Sequence, residues 1–214
     1  MESILLTGTI CLVLAISGFL AVVVYRLPLI LQSLQQPYLS HQETNTISYL
    51  YLLWPNSHCP LCQHSLRFFE KIPLFSYFLL KARCTYCQQK IPIRYFLIEM
   101  LTLISSLAVV YTFEWPVPML VALFLTWGLI VLSGIDYEYG WLPDIIIFPL
   151  LWLGLSCNAF NLFVPTASAV LGALVAYLSL WLLAKLYRWA THKEGMGYGD
   201  FKLFAVFGAW LGID

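Results

Sequence analysis

The chain has 214 residues, 61% of them hydrophobic and 10% charged, with eleven Lys and Arg against eleven Asp and Glu. A soluble chain of this length cannot bury so much apolar surface, so the composition excludes an ordinary water-soluble domain and indicates an integral membrane protein. Zero net charge argues neither for nor against nucleic acid, but the lack of a basic stripe with interleaved aromatics sets a nucleic-acid-binding role aside.

The first apolar run, ILLTGTICLVLAISGFLAVVVY, begins beside the acidic Glu2 and is followed by RLPL instead of a small-residue cleavage site. It is expected to be a retained transmembrane helix and not a signal peptide. Five further runs follow, giving roughly 3–24, 95–113, 119–134, 145–163, 168–187 and 200–213. Most approach the ~20 residues that cross a ~30 Å hydrocarbon core. The connections EWPVP, DYEYGWLPD, VPTA and KEGMGYG carry turn chemistry, and Pro149 is expected to kink the fourth run. The expected fold is an all-α polytopic membrane protein of about six transmembrane helices with a zinc-ribbon-like loop. Its divisions are a first helix over 1–24, a cytoplasmic loop over 25–94, and a transmembrane region over 95–214.

Orientation follows from the basic residues. The segment 25–94 holds Arg26, Arg67, Lys71, Lys81, Arg83, Lys90 and Arg94, while Lys185, Arg188, Lys193 and Lys202 flank the fifth crossing and the start of the sixth. Six crossings with an outside N-terminus place all of them on one face, which the positive-inside rule assigns to the cytoplasm.

In that loop Cys59 and Cys62 form one CxxC pair and Cys84 and Cys87 a second. Four thiolates so spaced match a tetrahedral zinc site, and a reducing cytosol disfavours disulfides. The alternatives are a redox-active CxxC, which normally occurs once, and metal-free thiols. His58 and His64 read as ordinary exposed histidines beside a complete cysteine set. A bound zinc would pin a long loop that has little core of its own.

Ionisable groups at membrane depth are functional candidates by default. Asp136, Glu138 and Asp144 lie in GIDYEYGWLPD, and Asp200 lies in GYGD. The topology puts both clusters on one face, where two aspartates could share a proton and act as base and acid. Gly197 and Gly199 loosen the backbone before Asp200 and would let an extended substrate strand approach. The bland alternative makes GYG a helix-entry turn with Asp200 as its N-cap.

Together, SGFLAVVVYRLP, SHCPLC, ARCTYC, IPLFSYFLL, IPIRYFLIEMLT, IDYEYGWLPD and GMGYGDFKLFAVFGAWLG resemble, in order, the motifs of the type IV prepilin peptidase family, membrane aspartyl proteases of the GxGD type. The resemblance implies a multi-pass enzyme of the bacterial inner membrane, its N-terminus periplasmic and its active site facing the cytoplasm. Such enzymes cleave the basic leader from prepilins and pseudopilins, then methylate the new N-terminus with S-adenosylmethionine. Carried over by motif, Asp136 and Asp200 are the catalytic pair and Cys59, Cys62, Cys84 and Cys87 the metal ligands. Glu138, Gly197 and Gly199 are expected to receive the substrate, Glu138 by attracting its basic leader.

This sequence departs from the family at Ala21, where an Asn is usual, and at Gln63 and Gln88, where glycines often follow the knuckles. Family members also usually continue with further helices beyond the point corresponding to Asp214. The competing expectations are an inactive, truncated homologue serving as a zinc-ribbon scaffold, and a CxxC redox membrane protein.

Overall fold

The computed structural model describes residues 2–35, 62, 83–90, 92–113 and 116–213. Six helices make up the described residues: α1 Glu2–Gln35, α2 Ile93–Thr112, α3 Pro116–Tyr139, α4 Asp144–Ala159, α5 Thr166–Thr191 and α6 Tyr198–Leu211. In hydrocarbon every backbone polar group needs an internal partner, which a helix supplies within one segment. Four helical stretches are long and apolar enough to cross a membrane: Leu12–Ser33, Ile93–Thr112, Pro116–Tyr139 and Thr166–Thr191. The helices α4 and α6 are apolar but shorter, at 16 and 14 residues. This is the architecture of a polytopic membrane protein.

Helix boundaries differ from the sequence expectation, most of all in the first and third helices. The first helix does not stop at residue 24 but runs through Pro28 to Gln35. Arg26 therefore lies inside a helix and is buried, where a loop position was expected. LPLILQSLQ holds no glycine, and one proline can be carried within a helix whose other residues favour it. The third helix likewise outruns its apolar stretch and takes Asp136 and Glu138 into its last turn. Only Gly140, with φ +67°, ends it. Pro149 is carried within α4.

The described residues form two compact units. In the first, α1 packs on α2, and residues 129–135 of α3 belong with them. Ser17, Thr102 and Ser106 are fully buried. The hydroxyls of Ser17 and Thr102 donate to Leu14 O at 2.9 Å and Ile98 O at 2.7 Å within their own helices. Small residues with internally satisfied hydroxyls let apolar helices approach closely.

The second unit holds α4, α5, α6 and the rest of α3. At its centre α6 crosses α5 at Gly208 and Gly172, backbone against backbone. A Cβ on Gly172 would lie 2.6 Å from Gly208 O. The other side of α6 packs on α4, where Trp210 Nε1–H donates to Leu150 O at 2.9 Å. Asn158 is fully buried and joins three segments. Its amide donates to Ala209 O at 2.8 Å, and its Oδ1 accepts from Phe163 N at 3.0 Å and Val164 N at 3.2 Å. Around this core Leu171, Leu174, Leu178 and Leu182 of α5 remain exposed, as lipid-facing side chains do.

Valine at Gly208 would force the α5–α6 crossing apart. Gly208→Val is expected to lower stability by about 2–3 kcal/mol, as overpacking does. Thermal unfolding in detergent would show this, with Phe204→Ala on the exposed side of α6 staying within about 0.5 kcal/mol of wild type.

Candidate active site

The two acidic segments are placed by opposite ends of helices. Asp136 lies in the last turn of α3, where its carbonyl accepts the Gly140 N–H at 2.8 Å. Its side chain is exposed, and that of Glu138 is half-buried. Carboxylates at the C-terminal end of a helix meet its negative pole, so capping preferences do not explain them. Beyond Gly140 the chain runs through Trp141 and Leu142 to Pro143, an extended residue that caps α4. Asp144 then opens α4 at its positive pole, a favourable place for an acid.

The second segment follows α5, which ends in a left-handed His192. The loop folds back on the last turns of α5, where a Cβ on Gly195 would meet the Tyr187 ring at 2.6 Å. Arg188 and Glu194 lie 3.5 Å apart on this exposed surface. Gly197 is the N-cap of α6, and Asp200, half-buried, is its third residue and not its cap. The Asp200 carboxylate reaches back to accept the Gly197 N–H at 3.1 Å. This is the return half of a capping box; glycine has no side chain for the other half.

The structure joins the two segments through two contacts. A Cβ on Gly199 would lie 2.9 Å from Leu142 Cβ, so the residue before Asp200 abuts the linker that follows Asp136. Lys202 Nζ donates to both oxygens of Asp144, at 2.8 and 2.7 Å. It also lies 5.4 Å from the centroid of the Phe148 ring. Gly197 remains exposed. Reading the sequence by motif left Lys202 without a role. The usable signal was a cation in an apolar helix, which requires a partner.

Of the four predicted metal ligands, Cys62, Cys84 and Cys87 are brought together, their sulfurs all within 4.8 Å of one another. Cys59 lies outside the described residues. Cys62 Sγ and Cys84 Sγ are 3.9 Å apart. Two thiolates on one tetrahedral zinc are separated by roughly 3.8 Å, from Zn–S bonds of ~2.3 Å, so the group fits a metal ion. Cys84 N donates to Gln89 O at 2.9 Å and Gln88 N to Cys84 O at 3.0 Å, shaping the turn. Arg83 and Lys90 form a bridge across it.

Gln88 takes φ +54°, the left-handed conformation for which glycine is suited. Its side-chain amide donates to Thr85 O at 3.3 Å, a contact available to this residue and not to glycine. Relief of the backbone strain outweighs that exposed bond, so Gln88→Gly is expected to stabilise the knuckle by about 1 kcal/mol. Slower labelling of the buried Cys84 thiol in mild denaturant would report it.

Residues 11–113 match the family model described as the bacterial peptidase A24 N-terminal domain, and residues 123–214 match that of the type IV leader peptidase family. A Pseudomonas putida protein named prepilin leader peptidase/N-methyltransferase is 44% identical, the match covering 93% of this chain and 70% of the relative. A Neisseria gonorrhoeae protein of the same name is also 44% identical, over 94% of this chain and 72% of its own. For one from Dichelobacter nodosus the identity is 41%, over 93% and 72%. No solved structure matches the chain. With two family models accounting for most of its length and relatives this similar, the chain belongs to the type IV leader peptidase family and is an enzyme of that family.

Proposed function

We propose that this chain removes the basic leader peptide from type IV prepilins and pseudopilins, using Asp136 and Asp200 as an aspartate dyad. The observation that carries this reading is the junction of Leu142 with Gly199 and of Asp144 with Lys202, which ties the segment following Asp136 to the helix turn bearing Asp200. Asp200 accepts the Gly197 N–H at the positive end of α6, a setting for the carboxylate that acts as general base on water. Asp136 then supplies the proton to the scissile carbonyl oxygen or the leaving amine. The dyad mechanism uses no metal. Exposed Gly197 offers the substrate backbone a close approach, and Gly199 lets Leu142 close one wall. Half-buried Glu138 attracts the cationic leader.

The proposed orientation puts this end of the second unit at the cytoplasmic face, with the N-terminus periplasmic, in the bacterial inner membrane. It rests on the grouping of the Lys and Arg residues, apart from Arg26 buried within α1, on one side of six crossings. The leader then stays in the cytoplasm while the apolar pilin helix remains in the bilayer.

Cys59, Cys62, Cys84 and Cys87 are proposed to hold a structural zinc. When bound, it contributes folding free energy to the 25–94 segment and takes no part in cleavage. N-methylation of the new N-terminus is carried over from the relatives' name, and S-adenosylmethionine as its methyl donor from the resemblance to the family. The cavity between the end of α5 and the start of α6, lined by Trp181, Lys185, Arg188, Met196 and Tyr198 among others, holds about 100 Å³. Sites for cofactor-sized ligands run to roughly 300 Å³ or more. No methylation step is therefore assigned to these residues.

The direct test is cleavage of a basic-leader prepilin by the purified chain in detergent. Asp136→Asn and Asp200→Asn should each reduce cleavage by about 10³-fold or more while leaving the fold intact, as losing half of a concerted acid–base pair implies. Cleavage that persists in both would remove the dyad, whereas a wild-type chain that binds zinc and stays folded but does not cleave would favour a scaffold role. Glu138→Gln should raise KM more at low salt than at high salt, since screening removes long-range attraction. Cys84→Ser should lose the bound zinc, about one ion per chain, by elemental analysis, whereas both aspartate variants should retain it.

A further inference from the structure

Asp144 and Lys202 form a contact to which neither the family resemblance nor the dyad chemistry assigns a role. The lysine places its ammonium against both carboxylate oxygens, at 2.7 and 2.8 Å, and beside the ring of Phe148, one turn further along α4. It is therefore held by two side chains of one helix face. Two residues before Lys202 stands Asp200, and one residue before that Gly199 abuts Leu142. The start of α6 is thus joined to the start of α4 by a charged pair and to the linker before α4 by a glycine seat. Asp136 lies on the chain leading into this junction, separated from Leu142 by the end of α3 and the left-handed Gly140.

We propose that Asp144 and Lys202 are positioning residues: their ion pair fixes the register between the segment bearing Asp136 and the turn bearing Asp200. The inference rests on the dyad reading above. Neither residue touches the reacting atoms. The pair spans 58 positions of sequence, so it orders segments that chain connectivity alone leaves independent. Displacing a catalytic group by about 1 Å costs on the order of 10²-fold in rate, so a modest loosening of this junction is visible in turnover. The lysine side chain is 28% exposed and that of the aspartate 49%. If that exposed surface faces the cytoplasmic water, as the proposed orientation has it, the pair contributes little to global stability, and its effect should appear in kcat while the fold persists.

The experiment is a double-mutant cycle on prepilin cleavage with Asp144→Asn, Lys202→Met and the double variant, beside Lys202→Arg. Each single variant should lower kcat by about 10- to 100-fold with KM within about threefold, since positioning acts on the chemical step. The double variant should lose no more than either single, and Lys202→Arg, which keeps the pair, should retain most activity. Hydrogen exchange in detergent supplies a readout independent of activity. In Asp144→Asn the amides of 140–142 and 198–200 should exchange faster together, while those around Gly172 and Gly208 stay unchanged. Multiplicative losses in the cycle would overturn the positioning role, as would full kcat in both singles or unaltered exchange at the two segments. If wild-type chain fails to cleave, or Asp200→Asn cleaves normally, the dyad reading falls, and the exchange result alone decides whether the junction is held by this pair.

Discussion

The closest constraint in the second unit is the backbone contact between Gly172 of α5 and Gly208 of α6. In hydrocarbon no hydrophobic force pulls helices together, so association relies on close packing, and two facing glycines permit the closest approach. Once α6 is seated there, its C-terminal turns are fixed against α4 by Trp210 and against the α4–α5 connection by Asn158. Its N-terminal turn is thereby held beside the start of α4. The placement of Asp200 follows from a contact two turns away that includes no catalytic group.

That arrangement gives the two aspartates different surroundings although their residue type is the same. One sits at the end of a helix, the other in a first turn where it accepts a backbone N–H. Both lie at helix termini, where the unsatisfied backbone groups of the last turn create fixed partial charges. A pair intended to act as acid and base benefits from such asymmetry. The contact of Gly199 with Leu142 and the Asp144–Lys202 pair join the start of α6 to the start of α4 and the linker before it, and neither occupies a carboxylate of the proposed dyad.

The metal-type knuckle shows a different compromise. Three sulfurs converge at separations suited to a tetrahedral ion, yet the turn that presents Cys84 and Cys87 places Gln88 in a glycine conformation. The strain is partly offset by a local side-chain bond to Thr85. A metal bound at these sulfurs would hold the turn closed, so the sequence can tolerate a residue that would weaken an isolated loop.

The family, the helical membrane architecture and the grouping of Cys62, Cys84 and Cys87 were legible in the sequence. Each depends on local chemistry: apolar run length, CxxC spacing, and motifs a few residues long. Helix ends were less legible, because α1 and α3 continue beyond their apolar stretches until a true breaker such as Gly140 intervenes. What only the tertiary structure decided were pairings distant in sequence. Asp144 with Lys202, Leu142 with Gly199, and Gly172 with Gly208 leave no periodicity to read, because the partners are chosen by how the helices cross. A lysine two residues after an aspartate in an apolar helix signalled that a counter-charge was needed. Which carboxylate supplied it was settled by packing.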